Sequence, residues 1–199
     1  MDLKREIRGN ILKKRDAMSR EEQLTLSHAI MEHAVSCREF LQADEILIYA
    51  DYKSEVITEG IMEYAFLLGK KVYCPKVCSD GMSGQMDFFQ IFSQEDLKEG
   101  YRGIREPEGQ PKSKWEPSRK KALLIMPGAV FDRQGHRIGY GKGFYDRFLK
   151  EHRELCGRKL ALAYEIQVEE SVPFEAHDQC VEFIVTEKGM IACDCIGKR

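Results

Sequence analysis

Residues 126–149 read MPGAVFDRQGHRIGYGKGFYDRFL, and the fold turns on how this stretch joins its neighbours. The apolar run Ala122–Met126 leads in and has the character of a buried strand. Residues 144–152 lead out with the spacing of a helix. Between them glycines stand at 128, 135, 139, 141 and 143, the last three alternating in Gly139-Tyr140-Gly141-Lys142-Gly143. A glycine-rich turn between a strand and a helix N-terminus gathers free backbone N–H groups at the positive end of the helix dipole. Glycine suits such a turn because it tolerates positive φ and lets backbone approach a ligand closely. Arg133, Arg137, Lys142 and Arg147 surround it. A tight turn with no ligand is the plain alternative, and the basic cluster favours an anion cradle.

Working outward, residues 2–18 carry Leu3, Ile7 and Ile11 at near-helical spacing. Ser19-Arg20-Glu21-Glu22 is a capping box opening a second helix that should run to about Leu41. Residues 45–52, 71–77, 86–92, 121–126, 159–164 and 181–186 read as strands, and Thr58 to Gly69 bounds a helix. Ser79-Asp80-Gly81 reads as a turn. Residues 93–120, polar and marked by prolines, read as a long irregular connection, a kind usually tied to function. The order implies an α/β protein with a layered, mostly parallel, doubly wound sheet flanked by helices. One domain over residues 1–199 is expected. Ligands of such sheets bind beyond the carboxyl ends of the strands, where the glycine turn falls.

Composition narrows the function. Of 199 residues, 43% are hydrophobic and 32% charged, with a formal net charge of −2, which argues against broad nucleic-acid binding. Apolar runs fall far short of the ~20 residues of a membrane helix, and the charged, partly acidic N-terminus resembles neither a signal nor a transit peptide. A cytosolic protein is expected. Cysteines at 37, 74, 78, 156, 180, 193 and 195 form no CxxC, so reduced and mostly buried thiols are expected rather than a zinc site.

The glycine turn is neither a Walker A loop, which needs Gly-Lys-Ser/Thr, nor a GxGxxG dinucleotide turn. Lys4 and Arg8, four apart on one helix, could complete a polyphosphate site or merely form a solvated face. Glu55 follows the first strand and could bind a substrate N–H, or be an exposed loop acid. Asp146 and Asp178 are candidate Mg²⁺ ligands, because Mg²⁺ at phosphate sites takes one or two carboxylates besides phosphate and water. Asp146 could instead complement the helix N-terminus, and Asp178 could serve a turn. His136 and His177 lie in loops, and no Ser/His/Asp arrangement is legible.

Together these residues resemble one family. Pro127-Gly128, Phe131-Asp132, Gly135, Arg137-Ile138-Gly139-Tyr140-Gly141-Lys142-Gly143-Phe144-Tyr145-Asp146-Arg147 is similar to the signature of the 5-formyltetrahydrofolate cyclo-ligases, or methenyltetrahydrofolate synthetases. Lys4-x-x-x-Arg8, Glu55, Gly103-Ile104-Arg105-Glu106-Pro107 and Val172-Pro173…His177-Asp178 fall in the family's order. The resemblance implies a Rossmann-like sheet akin to sugar-phosphate isomerases and CoA transferases. It implies ATP-dependent closure of 5-formyltetrahydrofolate to 5,10-methenyltetrahydrofolate through a phosphorylated formyl oxygen, with Mg²⁺ as cofactor.

By position, the resemblance gives ATP to Lys4, Arg8, Arg137, Ile138, Gly139, Tyr140, Gly141, Lys142, Gly143, Phe144 and Tyr145. It gives the folate to Ala50, Glu55 and the Tyr140–Phe144 part of the turn, the metal to Asp146 and Asp178, and catalysis to Arg137, Lys142 and Tyr145. Phe144 stands where tyrosine is common, and Lys142 where glycine is. ATP and the folate are the expected partners of a monomer without nucleic acid or membrane. The rivals are another phosphate-handling enzyme on the same fold, such as a sugar-phosphate isomerase or a kinase-like relative, and a ligand-binding module that has lost catalysis.

Overall fold

The computed structural model describes residues 3–77, 85–155, 158–175 and 178–194. The expected turn at Ser79-Asp80-Gly81, and His177, lie outside the described residues.

Helix α1 spans Leu3–Asp16 and α2 spans Arg20–Ser36. The capping box forms as read: Glu22 N donates to Ser19 Oγ at 3.2 Å, and Ser19 N to Glu22 Oε2 at 2.8 Å. The second helix stops earlier than its pattern suggests. Cys37 is extended (φ −71°, ψ 153°) and its sulfur accepts from Phe40 N, so a separate helix α3 begins at Arg38 and ends at Gln42. One residue thus terminates α2 and caps α3, which lets Phe40 turn into the core.

Strand β1 is Glu45–Ile48, α4 is Glu59–Leu67, β2 is Lys71–Val77 and β3 is Met86–Ile91. The connection at 93–120 is less irregular than expected. It holds the hairpin of β4 (Lys98–Glu99) and β5 (Arg105–Glu106) and three short 3₁₀ turns. Strand β6 is Ala122–Met126. Strands β7 (Val130–Asp132) and β8 (Arg137–Ile138) form a small hairpin inside the glycine-rich stretch, a feature its spacing does not signal. Then come α5 (Phe144–Glu151), β9 (Lys159–Leu162), β10 (Val168–Glu169), β11 (Phe183–Thr186) and β12 (Gly189–Ala192).

Seven strands form one sheet in the order β12-β11-β9-β6-β1-β2-β3. The pairs from β11 through β9, β6 and β1 to β2 are parallel, and both edges, β3 and β12, are antiparallel. The alternation of side chains divides the core in two. Ile46, Ile48, Leu123, Ile125, Leu160 and Leu162 pack with Ile30 of α2, Phe40 of α3 and Ile61 of α4. Leu47, Leu124, Met126 and Ala161 pack on the opposite face with Phe148 and Leu149 of α5 and with Trp115. The sheet is therefore covered on both faces, as an α/β sheet with fully buried central strands requires.

This winding fixes where a ligand can sit. From β1 the chain runs through α4 to β2; from β6 it runs through α5 to β9, in the other direction along the sheet. β1 and β6 are neighbours, with Ile48 opposite Ile125. The order reverses between them, and ligands of such sheets bind beyond the carboxyl ends of the strands at that point. The segment after β1 carries Ala50 and Glu55; the segment after β6 carries the glycine-rich stretch. Helix α1 closes over this end. Its Ile11 packs with Ala129, Val130, Ile138 and Val172.

Candidate active site

The glycine loop is held from three sides. Gly143, the N-cap of α5, is left-handed (φ +66°), and Gly141 has φ +90°. Both conformations disfavour any side chain. Gly139 is needed for another reason: a Cβ there would lie 2.9 Å from Arg137 Nη1. Arg8 on α1 donates from Nη1 to the Gly139 carbonyl at 3.4 Å. The Arg147 guanidinium reaches back to the Lys142 carbonyl. The loop is thus shaped with its basic neighbours folded against it.

Arg137 is buried beneath the loop. Its Nη1 donates to the Pro127 carbonyl at 3.5 Å and its Nη2 to Asp146 Oδ1 at 3.0 Å. The guanidinium lies 5.8 Å from the centre of the Tyr145 ring. Two atoms here are buried with no hydrogen-bond partner, the Nε of Arg137 and the hydroxyl of Tyr145. Burial raises the Tyr145 pKa well above 10, opposed by the charge of Arg137, so the phenol is a proton donor at neutral pH.

The two metal candidates are linked at the start of α5 through the backbone of Gln179. Asp146 Oδ1 also accepts from the backbone N of Gln179 at 3.2 Å, which sets Asp178 beside it. Asp178 Oδ2 accepts from Lys4 Nζ at 2.7 Å, and Glu175 Oε1 from the same Lys4 at 2.9 Å. Desolvation weakens the Lys4 charge, but its hydrogen bonds to Asp178 and Glu175 outweigh that and hold its pKa above 10.5. No group of three or more His, Cys, Asp or Glu with metal-holding geometry occurs among the described residues. A pair of carboxylates near a helix N-terminus is the donor type Mg²⁺ takes at phosphate sites, where phosphate oxygens and water supply the remaining ligands.

On the β1 side the glycine loop meets a second polar cluster. Tyr140 is 44% exposed through its ring, while its hydroxyl turns inward and accepts from Arg15 Nη1 at 2.8 Å. Arg15 is buried, and its Nε donates to Ser54 Oγ at 3.0 Å. Ser54 in turn donates to Asp16. Next to Ser54, Glu55 Oε2 accepts from Tyr52 N at 3.0 Å, and the Glu55 carbonyl accepts from the Tyr164 hydroxyl at 3.2 Å. Burial raises the Glu55 pKa above 4.5, and the Tyr140 hydroxyl and Arg15 charge pull against that shift. Glu55 is a buried carboxylate, then, and not an exposed loop acid.

The expected residues do not contribute equally. Lys4, Arg8, Arg137, Asp146 and Asp178 are connected to the glycine loop or to one another by the contacts above. Ala50 is buried at the carboxyl end of β1. The side chain of Ile138 belongs to the α1 core cluster and its carbonyl is taken by Ala129 N, so it supports the loop from behind. The Phe144 ring packs edge-on against Tyr101, 6.0 Å between centres, and so touches the 93–120 connection. The Lys142 side chain is exposed. Arg15, Ser54 and Tyr101 were not anticipated. Arg15 had a signal: positions 4, 8 and 15 fall within ~40° of one line along an α-helix. Among the described cysteines no disulfide forms; Cys37 and Cys74 are buried as expected, while Cys180 and Cys193 are only half-buried, and burial pushes the Cys193 thiol up to about 12.

With this geometry in view, a family model described as the 5-formyltetrahydrofolate cyclo-ligase family matches residues 1–187. The chain belongs to that family. A probable 5-formyltetrahydrofolate cyclo-ligase of Caenorhabditis elegans is 29% identical over 189 residues, covering 90% of each chain. The 5-formyltetrahydrofolate cyclo-ligase of Mus musculus is 29% identical over 191 residues, covering 92% of this chain and 93% of its own. The solved 5,10-methenyltetrahydrofolate synthetase of Aquifex aeolicus superposes with a TM-score of 0.81 at 31% identity, over 99% of this chain and 95% of that one. The match of the cyclo-ligase family model therefore runs through the Lys4–Arg8 helix, Glu55, the glycine loop and Asp178 in a single span.

Proposed function

We propose that this chain is an ATP-dependent 5-formyltetrahydrofolate cyclo-ligase that works with Mg²⁺. The observation that carries the proposal is the pair of buried donors without partners, Arg137 Nε and the Tyr145 hydroxyl, under a glycine loop at the reversal point of the sheet. Each such group costs about 1–3 kcal/mol if left unsatisfied, and phosphoryl or formyl oxygens would satisfy both.

In the reaction, the formyl oxygen of the folate attacks the γ-phosphorus of ATP, and ADP leaves. N10 then adds to the activated formyl carbon and loses its proton. The C–O bond breaks, and phosphate departs with the formyl oxygen, leaving the methenyl bridge. Phosphoryl transfer asks for alignment and charge neutralisation more than for a protein nucleophile, so the missing catalytic triad is no gap.

The roles follow from position. The backbone N–H groups of Gly139–Gly143 and the N-terminus of α5 cradle phosphate, with Arg8, Lys4 and Lys142 as neighbouring cations. Arg137 and Tyr145 donate to oxygens that gain charge as the phosphoryl group moves. Asp146 and Asp178 would hold Mg²⁺, which supplies charge neutralisation to the polyphosphate. The Glu55 carboxylate accepts N–H groups of the reduced pterin, and the exposed ring face of Tyr140 lines the same space. Mixing the protein with Mg-ATP and 5-formyltetrahydrofolate should raise the near-ultraviolet absorbance of the methenyl product, with one ADP per turnover. Folded protein that gives no ATP-dependent absorbance change would remove this reading.

A further inference from the structure

Arg15 has no place in the reaction outlined above, yet it is a buried cation with two directed bonds. Its Nε is tied to Ser54, the chain neighbour of Glu55, and its Nη1 to the hydroxyl of Tyr140 in the glycine loop. Burying a guanidinium is costly unless its N–H groups are satisfied, so both partners are held firmly. One side chain on α1 therefore spans the segment after β1 and the segment after β8. These two segments flank the reversal point of the sheet.

The Tyr140 ring bears on the same point. An aromatic ring that is 44% exposed would sample several rotamers if its hydroxyl were free. Here the hydroxyl is anchored and the guanidinium lies 5.7 Å from the ring centre, so the exposed face is presented in one orientation. Ser54 is fixed from its other side by Asp16, and Thr58 and Asp51 bond to each other within the same segment. Besides the hydrogen bond of the Tyr140 hydroxyl to Glu55, Arg15 ties this segment to Tyr140 through Ser54, and it does so from a third element, α1.

We infer that Arg15 is a positioning residue that clamps the Tyr140 ring over the Glu55 wall, so that the pterin end of the folate finds its two contacts already assembled. This rests on the folate reading given above. Arg15 touches neither ligand. Its effect is to spare the ordering cost that binding would otherwise carry.

The test compares Arg15→Lys, Arg15→Met, Tyr140→Phe and the double variant Arg15→Lys/Tyr140→Phe, all as full-length protein. The wild type is first assayed for methenyl formation. An inactive wild type would defeat the functional reading itself, before any variant is compared. With an active wild type, direct titration of 5-formyltetrahydrofolate without nucleotide should show binding weakened roughly ten-fold or more in Arg15→Met and Tyr140→Phe, as expected for loss of a charged hydrogen bond. KM for the folate should rise in parallel while kcat and the KM for ATP change by less than about three-fold. Lys at position 15 should recover part of the loss, and the double variant should be no worse than Tyr140→Phe alone, because Arg15 acts on the folate only through the Tyr140 hydroxyl. Arg15→Met also loses the Ser54 bond and Tyr140→Phe also loses the bond to Glu55, so partial rescue by Arg15→Lys and the double variant are what assign the loss to the Arg15–Tyr140 contact. Unchanged folate affinity in Tyr140→Phe, or additive losses in the double variant, would overturn the inference.

Discussion

Nη2 of Arg137 lies 3.0 Å from Oδ1 of Asp146, and this contact joins the strand before the glycine loop to the helix after it. The guanidinium is buried and the carboxylate half-buried, so the pair is screened less than a surface ion pair. It leaves Arg137 Nε buried without a partner. The pair therefore ties the two ends of the loop together while one guanidinium donor stays unpaired.

Arg137→Ala should lower kcat/KM for ATP by about a hundred-fold or more, the usual scale for removing a donor aimed at developing charge. Arg137→Lys should restore little, since a lysine cannot make the forked contact to Pro127 and Asp146. Steady-state kinetics with varied ATP decide it; unchanged ATP kinetics in Arg137→Ala would take the residue out of the site. Asp146→Asn should raise the Mg²⁺ concentration needed for half-maximal activity. An unaltered magnesium titration would return Asp146 to a purely helix-capping role.

Two glycines separate function from stability. At Gly143 an added Cβ meets Arg147 Nη1 at 3.3 Å, a flexible neighbour, but φ is +66°. Gly143→Ala should cost about 1–2 kcal/mol in backbone strain and displace the loop N–H groups, so activity should fall more than stability. At Gly128 an added Cβ would lie 2.4 Å from the buried Phe131 ring. Gly128→Ala should lower the melting temperature by several degrees through overpacking. Thermal melts and turnover on both variants test the contrast, and equal stability losses would contradict it.

Much of this arrangement was legible because it is written in local chemistry. The β1 and β6 runs, the Ser19 capping box and the alternating glycines at 139–143 each carry their own geometric reason. The strand–helix order then places the glycine loop at the carboxyl edge of the sheet. What stayed hidden depends on contacts distant in sequence. Cys37 breaks a continuous helical pattern because Phe40 has a core to enter. The hairpin of β7 and β8 exists because Asp132 and Gln167 gather separated backbone groups. Glu55 is buried only because Arg15 and Tyr140 arrive from α1 and from the glycine loop. Charge spacing on α1 pointed to Lys4 and Arg8, and one step further along the same face would have reached Arg15.

Asp132 is the test of how the loop's support is built. Its Oδ1 accepts from Gln134 N at 3.0 Å and His136 N at 2.9 Å, and its Oδ2 from Val172 N at 3.1 Å and His136 Nδ1 at 2.9 Å. The His136 ring stacks on Phe174 at 3.8 Å. Asp132→Ala should orphan three backbone donors and cost about 3 kcal/mol or more, a drop of roughly 6–12 °C in melting temperature for a chain of this size. Asp132→Asn should retain part of it, since its amide oxygen can still accept. A melting temperature unchanged in Asp132→Ala would show that these bonds are replaced by water.

The last prediction concerns pH. Glu55 is faced by Arg15 from α1, by Tyr49, Asp51 and Tyr52 from its own segment, and by Tyr140 and Tyr145 from the glycine loop and α5. Burial dominates and raises its pKa above 4.5, with the Tyr140 hydroxyl and Arg15 charge opposing. For stability, the sign is that ionising Glu55 costs more in the folded state than in the unfolded one. Its contribution therefore worsens as pH rises from 4.5 to the raised folded value and is constant above it. For binding the sign reverses, because a carboxylate that accepts pterin N–H groups must be ionised. Folate affinity should fall on acidification through the raised pKa, at a higher pH than an ordinary glutamate would give. Removing the Arg15 charge should shift this acid limb further upward, and Glu55→Gln should abolish it while weakening binding at neutral pH. Folate titrations across pH on wild type, Arg15→Met and Glu55→Gln check all three. An acid limb that survives in Glu55→Gln would assign the titration to another group.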